Sequence, residues 1–218
     1  MVFCKNLHKH YGHLHVVKGV DLEIQAGEIV SIVGESGAGK STLLQLLGTL
    51  DQADAGEIRI NNIDITQLGG RKLAQFRNQH VGFVFQFHQL LPEFTALENA
   101  MMPGLIAGMS KRNAEKRAME LLDYLGLASR KDHKPGQLSG GEQQRIAIAR
   151  AQFNQPQVIF ADEPTGNLDT GNADLIHQYF KQLQRDFNQT LVIVTHNTAL
   201  AEIADRTLRM QDGVLIGS

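Results

Sequence analysis

Cysteine is almost missing from this 218-residue sequence, in which Cys4 stands alone. No disulfide can form within the chain. That fits a reducing compartment, and the thiol reads as a plain packed group rather than a reactive one. An excess of one charge is missing too, since 21 Lys and Arg face 23 Asp and Glu for a formal charge of −2. This balance leaves no electrostatic footprint for a nucleic-acid partner. Long uncharged runs are absent: the longest, 78–92 and 187–201, are interrupted by His, Gln and Asn, so neither can span a bilayer. The opening MVFCKNLHKH lacks the apolar stretch of a secretory signal. These absences predict a soluble, cytoplasmic-type protein. No fixed-period repeat, low-complexity tract or Pro-rich or Gly/Ser-rich linker divides the chain.

What is present is ordinary globular material, 42% hydrophobic and 20% charged, well away from disorder. A chain of this size folds to a surface of about 10,000 Å², burying roughly 70% of what the unfolded chain exposes. Three short apolar runs, Glu28 to Val33, Gln157 to Ala161 and Leu191 to Thr195, read as buried parallel strands of an α/β sheet. Each ends in polar chemistry, at Gly34, at Asp162 with Glu163, and at His196. Ligands of such sheets sit at the carboxyl ends of the strands, so one shared site is expected. Between 87 and 137 the texture turns helical: Ser110 can cap a segment with Ala114, Ala118, Leu121, Leu122 and Leu125 at helical spacing, and Gly126 can stop it. Residues 14–24 and 56–62 look like further strands. Thr207 to Gln211, Asp212-Gly213 and Val214 to Gly217 read as an edge hairpin.

Three motifs carry the chemistry. Gly34-Glu35-Ser36-Gly37-Ala38-Gly39-Lys40-Ser41 satisfies G-x-x-x-x-G-K-[ST] between a strand and a helix over Lys40 to Leu47. Its backbone N–H groups and the helix N-terminus suit phosphate, Lys40 the β- and γ-phosphates, and the Ser41 hydroxyl Mg²⁺. Val158 to Glu163 delivers two carboxylates from a strand end, Asp162 for the metal and Glu163 to polarise an attacking water. Leu138-Ser139-Gly140-Gly141-Glu142 opens a second helix with an anion-binding N-terminus but no lysine, strand or metal ligand of its own. It must complete a site that belongs to another molecule.

With these motifs the chain resembles, nearly end to end, the nucleotide-binding subunits of ATP-binding cassette (ABC) transporters, the Leu-Ser-Gly-Gly-Glu run being the discriminating feature. The resemblance implies a phosphate-loop α/β fold with a parallel core sheet, an antiparallel β subdomain and a helical insertion. All of 1–218 forms one ATPase domain, its core at 1–86 and 138–218 and its helical subdomain at 87–137. ATP and Mg²⁺ are the implied cofactors. The nucleotide falls to residues Gly34, Glu35, Ser36, Gly37, Ala38, Gly39, Lys40, Ser41 and Thr42, with Tyr11, shortly after the first strand, stacking on adenine. The metal falls to Ser41, Gln86 and Asp162, and catalysis to Glu163, Gln86 and a switch histidine, His196. Asn167-Leu168-Asp169 matches a loop that crosses to a partner subunit, while Asn197 departs from the acid that many relatives carry after the histidine. In such ATPases two copies pack head to tail, so that Ser139, Gly140, Gly141 and Glu142 of one cap the γ-phosphate held by Lys40 of the other.

Residues 86–99, QFHQLLPEFTALEN, resemble the ATPases of lipoprotein-releasing LolCDE systems. Asp162 to Asp169 fits that branch but is shared with macrolide-export (MacB-type) and cell-division (FtsE-type) ATPases. Two functional classes stay open: a transport motor, which releases lipoproteins from the inner membrane toward the outer membrane or, alternatively, drives MacB-like efflux, and an FtsE-like regulatory ATPase that signals to cell-wall hydrolases and moves no cargo. Either implies a peripheral protein on the cytoplasmic face of the bacterial inner membrane. Residues 87–103 would receive a coupling helix from LolC/LolE-like membrane subunits. Phe87, Leu90, Leu91, Phe94, Met101 and Met102 are the soft contact groups, about half of them expected in the insertion's own core.

Overall fold

In the computed structural model, which describes residues 1–216, the three apolar runs lie in one sheet. Strands β3 (Ile29–Val33), β6 (Val81–Phe85), β7 (Val158–Asp162), β8 (Thr190–Val194) and β9 (Arg206–Gln211) are parallel, and β10 (Val214–Ile216) closes one edge antiparallel to β9. The spatial order is β10-β9-β3-β8-β7-β6. At the β9–β10 turn both Asp212 (φ 50°) and Gly213 (φ 87°) are left-handed, as a two-residue hairpin turn requires. Gly217, expected in the last strand, lies outside the described residues.

A second, antiparallel sheet has the order β2-β1-β4-β5, from β1 (Val2–Tyr11), β2 (Leu14–Ile24), β4 (Ala55–Ile60) and β5 (Ile63–Asp64). The strand expected over 56–62 therefore ends at Ile60. Asn61 and Asn62, at φ 48° and 65°, turn the chain, because their short amides tolerate the left-handed region. Tyr11 likewise is the last residue of β1 rather than beyond it.

Period-two alternation divides the core. Val30, Ile32, Val158, Phe160, Val192 and Val194 face the antiparallel sheet and α1 (Lys40–Leu47). Ile29, Ile159, Ala161, Leu191 and Ile193 face helices α3 (Ala96–Ile106), α4 (Lys111–Tyr124), α5 (Gly140–Gln152) and α6 (Thr170–Phe187). The shorter α2 (Gly70–His80) precedes β6, and α7 (Thr198–Glu202) follows β8. Both faces of the parallel strands are covered, which is why they read as unbroken apolar runs. The accessible surface of 10416 Å² agrees with the area expected from chain length.

Between 87 and 137, Thr95 and Glu98 form a reciprocal cap on α3, Ser110 caps α4, and left-handed Gly126 (φ 69°) follows its last turn. Asn99, buried in α3, donates to the carbonyls of Leu91, Phe94 and Thr95 and accepts from the Leu91 amide. It thereby folds 91–95 onto the helix. Among the described residues no helix is long and apolar enough to cross a membrane.

Phe160 is fully buried on β7 and packs against the Phe83 ring at 5.8 Å. Phe160→Ala is expected to cost about 3–5 kcal/mol in urea unfolding; a loss below about 1 kcal/mol, the scale of an ordinary surface change, would contradict this placement of the core.

Candidate functional site

Four strand ends build the site. β3 stops at Val33, the chain turns through Gly34 to Gly39, and α1 starts at Lys40 with no side-chain cap on its first N–H groups. Gly39 sits at φ 100°, and a Cβ there would come 2.8 Å from the Val16 carbonyl, so the turn needs glycine. The free N–H groups and the helix dipole favour an anion. The Lys40 ammonium donates to the carbonyls of Gly34 (2.9 Å) and Glu35 (2.8 Å), bending back over the loop. Ser41 Oγ donates to Asp162 Oδ1 at 3.0 Å. Burial, and next to it the Glu163 charge, pushes the Asp162 carboxyl above its usual value against the opposing Ser41 bond and Lys40 charge.

The two adjacent carboxylates part company. Glu163 is left-handed at φ 45°, which swings its side chain to the end of β8. There His196 Nδ1 donates to Oε1 at 2.8 Å and Thr195 Oγ1 to Oε2 at 3.2 Å, while the Glu163 amide donates to the Val194 carbonyl at 2.9 Å. Gln86, just past β6, donates through Nε2 to Asn167 Oδ1 at 3.0 Å. Thr195 and Asn167 thus fix two expected site residues, through contacts spanning 32 and 81 positions of sequence.

A cleft of about 740 Å³ joins Tyr11, Leu14 and Val16 with Gly34 to Gly37, Gly39 to Thr42, Gln86, Glu163 and His196. Asp162 is reached through Ser41. Ala38 lines an adjacent groove with Arg209 to Asp212. Tyr11 is 48% exposed and presents its ring to the cleft.

Ser139 to Glu142 contributes nothing to that cleft. Ser139 caps α5: its Oγ accepts from the Glu142 amide (3.2 Å), and Glu142 Oε2 accepts from the Ser139 amide (2.8 Å). Arg130 Nε donates to the other carboxylate oxygen at 2.8 Å. Within this chain the Glu142 carboxylate is engaged in the cap of α5, a role that the S-x-x-E spacing itself signals. A Cβ on Gly141 would strike the Asn172 side chain, which ties the start of α5 to the 167–172 segment. His88 Nε2 donates to the Gly140 carbonyl at 2.9 Å, and Arg150 grips the carbonyls of His88 (2.8 Å) and Gln89 (2.6 Å).

The segment after Gln86 divides as expected. Phe87 is 75% exposed, Leu91 and Phe94 are also exposed, Met101 is buried, Leu90 packs on the core and Met102 is half-buried. A groove of about 370 Å³ beside it is lined by residues including Phe83, Phe85, Gln89, Pro103, Ile106 and Arg150.

A family model described as ABC transporter matches residues 17–166. The chain belongs to the ABC transporter family. As one of its ATP-binding cassettes it binds and hydrolyses ATP. The cassette is 57% identical over 216 residues to the lipoprotein-releasing system ATP-binding protein LolD of Bacteroides fragilis, covering 99% of this chain and 100% of that one. It is 52% identical to the LolD protein of Geobacter metallireducens, with 97% and 96% covered. The bacterial ABC transporter cassette MJ0796, solved as a dimer, superposes with a TM-score of 0.92 at 41% identity, covering 100% of this chain and 97% of that one. A post-hydrolysis dimer of the same protein with ADP and Pi superposes with a TM-score of 0.91, at the same identity and coverage.

The Ser139 amide, aided by Arg130 and against the opposing effect of burial, holds the Glu142 carboxyl below its ordinary value. A depressed folded pKa stabilises above the unfolded value and loses that contribution as pH falls through the folded one. Glu142→Ala should therefore cost about 1 kcal/mol near pH 7 and less in acid. Equal losses in urea unfolding at neutral pH and well below the glutamate range would contradict this.

Proposed function

We propose that the chain is the ATPase subunit of a lipoprotein-releasing transporter at the cytoplasmic face of the inner membrane, working as a head-to-tail pair. One observation carries the pairing: the second anion-binding helix start lies outside the chain's own cleft. The Ser139 cap satisfies the Glu142 amide and leaves those of Gly140 and Gly141 for an outside acceptor. A γ-phosphate seated on Lys40 of another copy is such an acceptor. The dimeric MJ0796 structures support the arrangement, and full-length likeness to LolD proteins supports the transport role.

In this reading Tyr11 stacks on adenine and the N–H groups of 34–42 cradle the phosphates. Lys40 leaves the carbonyls of Gly34 and Glu35 for the β- and γ-phosphate oxygens. Ser41, Asp162 and the Gln86 amide form a hard oxygen set suited to Mg²⁺, and a half-buried carboxylate raised by desolvation gains from a cation beside it. Bound there, Mg²⁺ neutralises charge on the β- and γ-oxygens. Glu163, fixed by His196 and Thr195, orients and polarises the attacking water, and His196 also contacts the γ-phosphate. Phosphate loss removes the charge that joins the two copies. The exposed Phe87, Leu91 and Phe94 beside the Arg150 groove receive a helix from the membrane subunits.

Glu163→Gln should leave ATP binding intact, cut turnover by at least about 100-fold and hold the ATP-bound pair together in sedimentation. Unchanged hydrolysis overturns the assignment of Glu163. Lys40→Ala should weaken ATP binding in calorimetry. Pulldown from native membranes, followed by mass identification of the bound subunits and their lipoprotein cargo, tests the transport role; a partner pair without such cargo contradicts it.

A further inference from the structure

The adenine platform is not held by its own strand. Tyr11 Oη donates to Asp51 Oδ2 at 2.6 Å, a residue in the loop that follows α1. The other oxygen of Asp51 takes the Lys9 ammonium at 2.9 Å, and that ammonium also donates to the Gln52 carbonyl at 2.7 Å. The same Lys9 nitrogen lies 5.1 Å from the centre of the Tyr11 ring, within cation–π range. Lys9 and Tyr11, near the end of β1, both reach Asp51. The Asp51 hydrogen bond, with burial next to it, keeps the phenol protonated above its ordinary range. The loop that carries Asp51 is itself fixed, since Arg77 of α2 donates to Thr49 Oγ1 (2.9 Å) and to the Thr49 carbonyl (2.8 Å).

We infer that Asp51 is a positioning residue for nucleotide binding: by anchoring the Tyr11 hydroxyl it makes the base platform and the phosphate-loop helix one rigid unit. The inference rests on the reading of Tyr11 as the adenine platform. Its physical content is entropic. A half-exposed tyrosine at a hairpin end samples several rotamers, and a base that stacks on it must freeze them. The Asp51 hydrogen bond and the Lys9 ammonium over the ring set the tyrosine before the nucleotide arrives, which lowers the cost of binding. Lys9 occupies the ring's approach on the protein side and leaves the other face to the base. Asp51 touches neither phosphate nor metal in this arrangement, so its loss should act on the base alone.

The test compares binding of two probes by calorimetry in the presence of Mg²⁺: a non-hydrolysable ATP analogue, and inorganic tripolyphosphate, which has no base. Asp51→Ala and Tyr11→Phe should each weaken the analogue by about fivefold, the worth of one net hydrogen bond. The double variant should be no weaker than either single one. Asp51→Asn, which keeps an acceptor for the tyrosine hydroxyl, should recover part of the loss. Tripolyphosphate affinity should be unchanged throughout, and steady-state kinetics should show a raised KM for ATP at unaltered kcat. Wild-type affinity for the analogue in Asp51→Ala overturns the inference, as does a parallel fall for tripolyphosphate, which would mark general damage to the loop. Should Tyr11→Ala bind the analogue like the wild type, the platform reading itself fails, and with it any role for Asp51 through the ring.

Discussion

A triphosphate carries more negative charge than one loop can neutralise, and this chain places its anion-binding groups in two separate positions. α1 begins with uncapped N–H groups, a lysine and a serine beside a half-buried carboxylate. α5 begins with two glycines and no cation, away from that cleft. A helix start supplies roughly half a positive charge, enough to add to a site but too little to make one. The proposed pairing follows from that deficit: each α5 start is useful only where another copy brings phosphate.

The groups around the cleft are held in unfavourable states by the scaffold. Half-buried Asp162 has its carboxyl pushed above its usual value by burial, and Glu163 sits in a left-handed conformation of the kind that costs on the order of 1–3 kcal/mol. Both persist because β7 lies between β6 and β8, with apolar layers on either face. His88 and Gln89, also left-handed, are clamped through their carbonyls by Arg150 of α5. The loop after Gln86 therefore cannot shift without tension on the helix that starts at Gly140. This is a physical route between the groove proposed to meet a membrane partner and the turn proposed to meet phosphate.

The parts readable from sequence are those set by local pattern. The strands around Val30, Phe160 and Val192 declare themselves because both faces are buried, and the turn at Gly34 to Lys40 because its glycines and lysine are adjacent. The α4 boundaries follow from Ser110 and Gly126. What escapes is long-range or ambiguous. Nothing near Tyr11 points to Asp51, 40 residues on, and nothing near Gln86 points to Asn167. Glu142 is ambiguous in another way: the same four residues fit an anion-binding turn and a capping box, and the hydrogen bonds show the cap within the chain. The end of β4 is hard to read because Asn61 and Asn62 interrupt an otherwise strand-like run.

The central claim, that no single copy holds a complete pocket, is tested most directly by turnover per chain as the isolated protein is serially diluted at saturating ATP and Mg²⁺. The account predicts that turnover per chain falls toward zero as pairs separate. Turnover that stays constant in solutions shown by sedimentation to contain only single chains would contradict it.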